Sequence, residues 1–411
     1  MSGCKNINVQ YGRESNLLVH LFFFSFEIAC LVCHNESRPI KGGDTMERIF
    51  ASPSRYVQGK GVLKDGLSHI KDLGKKVLLL TDETVWKIAG EDLFDNLKAA
   101  DLDSVKEIFG GEASANEIDR IVSKAKSESI EVIAALGGGK AIDTGKAVAD
   151  ELNIPIAVLP TIASTDAPTS ALSVIYTDEG RFEKYRFYHK NPELVLVDTA
   201  VIAKAPAKLL AAGIADALAT YVEARAVARS HSQNMVGGIQ PIAGMAIAEK
   251  CEEILFENAL KAYQANKKQV VTEAFEQIVE ANTLLSGLGF ESAGLAAAHA
   301  IHNGLTALEG DVHDLTHGEK VAYGTLTQLM LENADPEELD QYIELYQALE
   351  LPTTLSDMHL AEASDADLLK IGEQATIEGE TIHNMPFPVS AEDVAAAIKA
   401  VDAYVSAYYP L

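Results

Sequence analysis

Cysteine is scarce, with four in 411 residues, which excludes a disulfide-built scaffold and fits a reducing compartment. Positive charge is also short. Thirty-four Lys and Arg stand against 60 Asp and Glu, a formal net charge of −26, and a surface of that sign repels nucleic acid and anionic membranes. Long apolar runs are missing too. The nearest, "NLLVHLFFFSFEIACLVCH" at 16–34, is interrupted by His20 and Glu27 and falls short of a membrane span. No internal repeat or low-complexity linker interrupts the chain. What remains, 47% hydrophobic and 23% charged, is the composition of a soluble cytoplasmic enzyme large enough for two domains.

Residues 1–45 differ from the rest. Lys5 and Arg13 ahead of the apolar run give the outline of a signal peptide, but no small-residue cleavage site follows. Cys30, Cys33 and His34 have the spacing of a c-type haem attachment, yet lie inside the apolar run without haem-domain surroundings. "KGGDTM" offers a simpler expectation. Lys41-Gly42-Gly43 can be encoded as AAAGGAGGT, a bacterial ribosome-binding sequence just ahead of a start at Met46. Residues 1–45 are therefore expected to be an upstream segment, from a mis-assigned start or disordered.

From Met46 onward, strand and helix patterns alternate. "KKVLLLTDE" (75–83), "IEVIAALGGGK" (130–140) and "PIAVLPT" (155–161) are apolar, β-rich runs, while 115–127 and 141–152 read as helices. Continuous apolar strands alternating with helices predict a Rossmann-like parallel sheet covered on both faces, with 193–203 as its last strand. After about residue 205 the spacing is helical to the end and offers no strand. The expected architecture is an α/β domain over 46–205 and an all-helical domain over 206–411, with the active site in the cleft between them.

Within the first domain, Gly137, Gly138 and Gly139 occupy a strand-to-helix turn and Lys140 follows. There a backbone can approach a phosphate at a helix N-terminus, although the pattern is neither G-x-G-x-x-G nor a Walker loop, and plain turn chemistry is the alternative. Asp82, ending an earlier strand, is placed either to bind ribose hydroxyls, favouring NAD over NADP, or to cap the following helix. "LPTIASTDAPTSALSVIY" (159–176) carries six Ser/Thr residues and Asp166 at the sheet's carboxyl edge, where ligands of such sheets bind. Its apolar end implies that the segment returns into the body.

The histidines raise the metal question. His299, His302, His313 and His317 fall within nineteen positions of a chain that has eleven in all. Spacings of three and four put either pair on one helix face. They could bind metal, or be buried neutral rings with backbone partners. A catalytic zinc needs three protein ligands and an open position. Asp216, in the otherwise apolar "GIADALATYVEAR", is the sharpest candidate for the third, because an unpaired carboxylate there would be costly. A solvent-facing Asp at a helix end is the other reading.

The motifs "SPSRYVQGKGVL", "LGGGKAIDTGKA", "TIASTDAPTSALSVIY", "GIADALATYVEAR", "AAAHAIHNGLTAL" and "HGEKVAYG" together resemble the glycerol dehydrogenases, zinc-using members of the iron-containing alcohol dehydrogenase superfamily. That resemblance implies zinc ligands at Asp216, His299 and His317, with His302 lining the same cavity as a catalytic candidate and His313 outside it. It implies NAD contacts at Asp82, Gly137, Gly138, Gly139, Lys140, Thr161, Ser164, Ser170, Leu172 and Tyr176. Asp166 is expected to bind a substrate hydroxyl. The implied activity is NAD-dependent oxidation of glycerol, or of related small vicinal diols, to the ketone by hydride transfer from a zinc-bound alcohol. A homo-oligomer, octameric in the family, would be the assembly. Iron-using relatives carry a histidine four residues after the ligand aspartate; here Thr220 stands there, which leaves the three ligands that suit zinc. A glycerol-1-phosphate dehydrogenase and a dehydroquinate synthase-like lyase are the alternatives within the superfamily.

Overall fold

The computed structural model describes residues 47–409, apart from the Phe182 side chain. The upstream segment and its haem-like spacing lie outside the described residues. Six strands, β1 (Tyr56–Gly59), β2 (Lys76–Thr81), β3 (Asp103–Ile108), β4 (Val132–Gly137), β5 (Ile156–Pro160) and β8 (Leu194–Asp198), form a sheet in the order β1-β8-β5-β4-β2-β3. Every pairing in it is parallel. The remaining strands, β6 (Leu172–Tyr176) and β7 (Phe182–Phe187), make a separate antiparallel ribbon.

The apolar runs follow from burial on both faces. Along β2, Leu78 and Leu80 enter one core while Val77 and Leu79 enter the other; along β4, Ile133 and Ala135 oppose Val132, Ala134 and Leu136. Truncating the fully buried Leu79 to Ala would cost about 2–5 kcal/mol. The larger core continues without a break from the sheet into the helical half, through residues such as Ile214, Leu218, Ile301 and Leu326.

Strand order locates the ligand edge. The chain leaves β2 outward to β3, then crosses back to β4 on the other side of β2. In a doubly wound sheet this reversal opens a crevice at the carboxyl ends of the two diverging strands. β2 ends at Thr81, one residue before Asp82, and β4 ends in the glycine turn. One expectation needs adjustment. The run 193–203 is strand only to Asp198, whose side chain accepts from the Ala200 amide and caps a short helix, Thr199–Ile202. β1 and β3 carry weak sequence signals, since one is four residues long and the other, "DSVKEI", is a mostly polar edge strand. The end of the 159–176 segment returns as expected, as strand β6.

After β8 the described elements are helical. The helices Ala207–Ser230, Ile242–Lys267, Ser286–Ala293, Ala297–Leu305 and His317–Leu331 pack through small residues. A Cβ on Gly318 would lie 1.9 Å from the Ala212 carbonyl oxygen, and one on Gly213 1.9 Å from the Ala163 carbonyl oxygen. Glycine at these positions lets the helices touch each other and the loop after β5 at backbone distance. Among the described residues no single helix is long and apolar enough to cross a membrane.

Candidate active site

Three helices bring Asp216, His299 and His317 together. One ligand-type atom from each lies within 4.8 Å of the others. His317 Nε2 is 3.1 Å and His299 Nε2 3.3 Å from Asp216 Oδ1. Asp216 Oδ2 is buried and meets no donor among the described residues. A buried carboxylate with an orphaned oxygen and two imidazole nitrogens aimed at it is a donor set that fits a divalent cation. Two imidazoles and one carboxylate are ligands of the kind catalytic zinc takes.

The imidazoles are held from behind. Glu223, fully buried about two turns after Asp216 on the same helix, accepts from His299 Nδ1 at 2.6 Å, from the His299 amide at 3.1 Å and from the Ala296 amide at 2.8 Å. A carboxylate only accepts, so Nδ1 carries the proton and Nε2 is left for a cation. His317 Nδ1 lies 3.0 Å from His302 Nε2, and His302 Nδ1 lies 3.1 Å from Asn303 Oδ1. Both nitrogens of His302 are thereby engaged, which places it behind His317 and leaves it none for substrate. His313 is exposed and donates through Nε2 to the Leu308 carbonyl at 2.6 Å. The "THGEK" helix start carries a full capping box between Thr316 and Glu319, which fixes the turn that presents His317.

Electrostatics match the geometry. Burial opposes the charged form of Asp216, but His317 and then His299 outweigh it and hold the carboxyl well below the usual range. Burial likewise opposes a charged His299, but Glu223 and Asp216 together keep its pKa well above the ordinary imidazole value. Asp166 is pushed up to about 8, chiefly by burial and then by the neighbouring Asp216 carboxylate. Ser286 donates to Asp166 Oδ2 at 2.9 Å, and Thr220 Oγ1 lies 3.0 Å from Ser286 Oγ. Thr220 thus joins the chain that orients Asp166.

At the sheet edge the glycines adopt ordinary backbone angles, since none of Gly137, Gly138 and Gly139 has positive φ. A left-handed turn is therefore not what they supply, and a Cβ on Gly137 would lie 2.9 Å from the Ala141 Cβ. A Cβ on Gly138 would press on Ile162 at 3.0 Å, whereas one on Gly139, the first residue of the helix Gly139–Leu152, would meet nothing nearer than Thr165 Oγ1 at 3.7 Å. The helix start thus presents an open backbone face, where an anion can approach the amides. Lys140 Nζ lies 2.6 Å from Glu112 and over the Tyr176 ring. Thr161 is buried against the turn, its amide donating to the Gly137 carbonyl at 3.1 Å, and Ser164 is half-buried in the same loop. Asp82 caps its helix through Oδ1, which accepts from the Thr84 and Val85 amides at 2.8 Å.

Across residues 53–199 the sequence matches the family model "iron-containing alcohol dehydrogenase". It is 50% identical over 361 residues to a glycerol dehydrogenase of Escherichia coli O6:H1, covering 87% of this chain and 98% of the relative. The chain belongs to the iron-containing alcohol dehydrogenase family. Within that family it is also 48% identical over 357 residues to a glycolaldehyde reductase of Halobacterium salinarum, covering 87% of this chain and 98% of that one. The crystal structure of the Schizosaccharomyces pombe glycerol dehydrogenase superimposes with a TM-score of 0.86 at 45% identity, covering 88% of this chain and 92% of that chain.

In this member of the family, the residues expected to act together fall into two groups. Asp216, His299, His317 and His302 cluster together with Asp166 beside them, while Asp82, Gly137, Gly138, Gly139, Lys140, Thr161 and Ser164 follow the carboxyl ends of β2, β4 and β5, and Tyr176, at the end of β6, lies under the Lys140 ammonium. Ser170 and Leu172 are buried behind that edge. The buried Lys146 donates to the Ala167 carbonyl at 2.9 Å and to the Leu172 carbonyl, with Ser170 Oγ at 3.5 Å. Asp143 pairs with the same lysine at 3.0 Å. Glu223, Ser286 and Lys146 escaped the sequence reading. Glu223 had a signal, since it lies seven residues after Asp216, on the same face of an apolar helix.

Proposed function

We propose that this chain is an NAD-dependent, zinc-containing glycerol dehydrogenase that oxidises the secondary alcohol of glycerol, and of small vicinal diols, to the ketone. The convergence of Asp216, His299 and His317 beside Asp166 is the observation that carries the reading. The similarity to glycerol dehydrogenases over nearly their whole length supports the substrate class. When bound, the cation would acidify a coordinated alcohol and the oxidised nicotinamide would accept its hydride. The residues of the chain do the rest. Glu223 and His302 hold the two imidazoles in the tautomer that faces the cation. Asp166, fixed by the Ser286–Thr220 chain, accepts a substrate hydroxyl and orients the carbon that loses hydride. Asp82 and the glycine turn hold the ribose and pyrophosphate at the switch-point crevice.

The similarity to a glycolaldehyde reductase favours a second reading, reduction of a small hydroxy-carbonyl through the same site. Chelator-stripped protein should form no NADH from glycerol, and zinc should restore the activity. Zinc uptake without any glycerol-dependent NADH, together with NADH-dependent reduction of glycolaldehyde, would give the second reading precedence.

A further inference from the structure

His317 is supported by a longer chain of side chains than His299. Behind His317 Nδ1 stands His302 Nε2 at 3.0 Å, and behind His302 Nδ1 stands Asn303 Oδ1 at 3.1 Å. The side-chain nitrogen of Asn303 faces both oxygens of Glu380, at 3.2 and 3.1 Å, and the Tyr185 hydroxyl of β7 at 3.0 Å. Glu380 is half-buried at the start of the short helical turn Thr381–Asn384. That turn is docked on the approach to the helix Ala297–Leu305. The Thr381 hydroxyl donates to the Ala296 carbonyl at 2.6 Å, and Asn384 Nδ2 donates to the Leu295 carbonyl at 2.9 Å. A carboxylate from a distant segment is thereby held at the far end of a chain that finishes on a metal-ligand candidate.

We infer that Glu380 is a positioning residue for the metal site: by fixing which way round the Asn303 amide lies, it fixes the tautomers of His302 and His317. The inference rests on the zinc-containing reading above. An ionised carboxylate only accepts, so Asn303 turns its NH2 group to Glu380 and its carbonyl oxygen to His302. His302 then donates from Nδ1 and accepts at Nε2. His317 in turn donates from Nδ1, which leaves its Nε2 bare, 3.1 Å from Asp216 Oδ1, for a cation. With the amide reversed every polarity reverses, and a neutral His317 would carry a proton on Nε2 where the lone pair is needed. Tyr185 does not make that choice, because a hydroxyl can serve either end of an amide. Glu223 orients His299 in one hydrogen bond, and Glu380 orients His317 through Asn303 and His302.

The test is zinc affinity of the full-length protein, by competition with a chromophoric chelator, for wild type, Glu380→Leu, Asn303→Leu and the double variant. Melting of each metal-free protein checks that it folds. Glu380→Leu should bind zinc about tenfold more weakly, the low end for outer-shell partners, because two side chains intervene. Asn303→Leu should lose at least as much. The double variant should bind zinc as Asn303→Leu does, since Glu380 acts only through that amide. Losses that multiply in the double variant would mean that Glu380 contributes only its charge, and they overturn the inference. So does wild-type zinc affinity in Glu380→Leu. Should that variant not fold, Glu380→Gln gives a smaller loss of the same sign, because its amide can face Asn303 with either end. Nitrogen-15 spectra of the histidines in zinc-loaded wild type should show His302 protonated at Nδ1, and protonation at Nε2 overturns the inference. A wild-type protein that takes up no zinc fails the zinc-containing reading itself, whereas zinc-binding wild type beside an indifferent Glu380→Leu fails this inference alone.

Discussion

The two walls of the crevice are built by opposite means. At the sheet edge, one contiguous stretch supplies the key group, and it is backbone: the open helix start at Gly139 and the ends of neighbouring parallel strands. On the helical wall the groups are side chains from three separate helices, each with a partner behind it: Glu223 behind His299, His302 behind His317, and Ser286 and Thr220 behind Asp166. A backbone cradle is held by the fold itself. A side-chain cluster needs its supporting shell, because imidazoles and carboxylates rotate unless something fixes them.

The comparison makes graded predictions. Removing a ligand should break the helical wall outright: His299→Ala should cost more than a hundredfold in zinc affinity, beyond the range for an outer-shell change, and abolish turnover while NADH binding to metal-free protein persists. Glu223→Gln comes next. The amide can face His299 Nδ1 with only one oxygen, so zinc affinity should fall about 10–100-fold, measured by competition with a chromophoric chelator. Wild-type zinc affinity in Glu223→Gln would mean that the imidazole needs no support.

Asp166→Asn sharpens the division within the helical wall. It should lower kcat/KM for glycerol by about 10–100-fold and leave zinc content unchanged; zinc lost in parallel with activity would contradict a substrate role. The same variant has a pH signature in the metal-free state. The Asp166 carboxyl sits at about 8 when folded and about 4 when unfolded. Between those values the folded protein holds a proton that the unfolded chain has released, so stability falls as pH rises through the window. Asn cannot titrate, and the fall in melting temperature should be shallower in Asp166→Asn.

The smallest effect belongs to the sheet edge. Asp82→Asn keeps the helix cap, since Asn caps as well as Asp, but loses the negative charge. Helix content and melting temperature should hold, NAD affinity should drop several-fold, on the order of one hydrogen bond, and discrimination against NADP should relax. A loss of stability with unchanged cofactor preference would leave Asp82 as a cap and nothing more.

Much of the α/β half was legible because its signals are local. Strands buried on both faces announce themselves as continuous apolar runs, and the glycine turn lies between one such run and its helix. β1 and β3 were silent for the complementary reason, being short or polar at an edge. His302 illustrates the limit at the site. Its spacing from His299 put it in the cavity, but only the packed structure shows both ring nitrogens occupied. Ser286 carried no signal, since a Ser in a small-residue helix is ordinary.

By itself the sequence determined the buried strands of the parallel sheet and the helices between them, and the residue types able to hold a cation, since each depends on neighbours along the chain. Only tertiary structure decided that β2 and β4 diverge around one crevice and that Asp216 meets His299 and His317. It also decided that Glu223 is fully buried. Those facts depend on how closely helices distant in sequence approach, which glycines such as Gly213 and Gly318 permit but cannot specify.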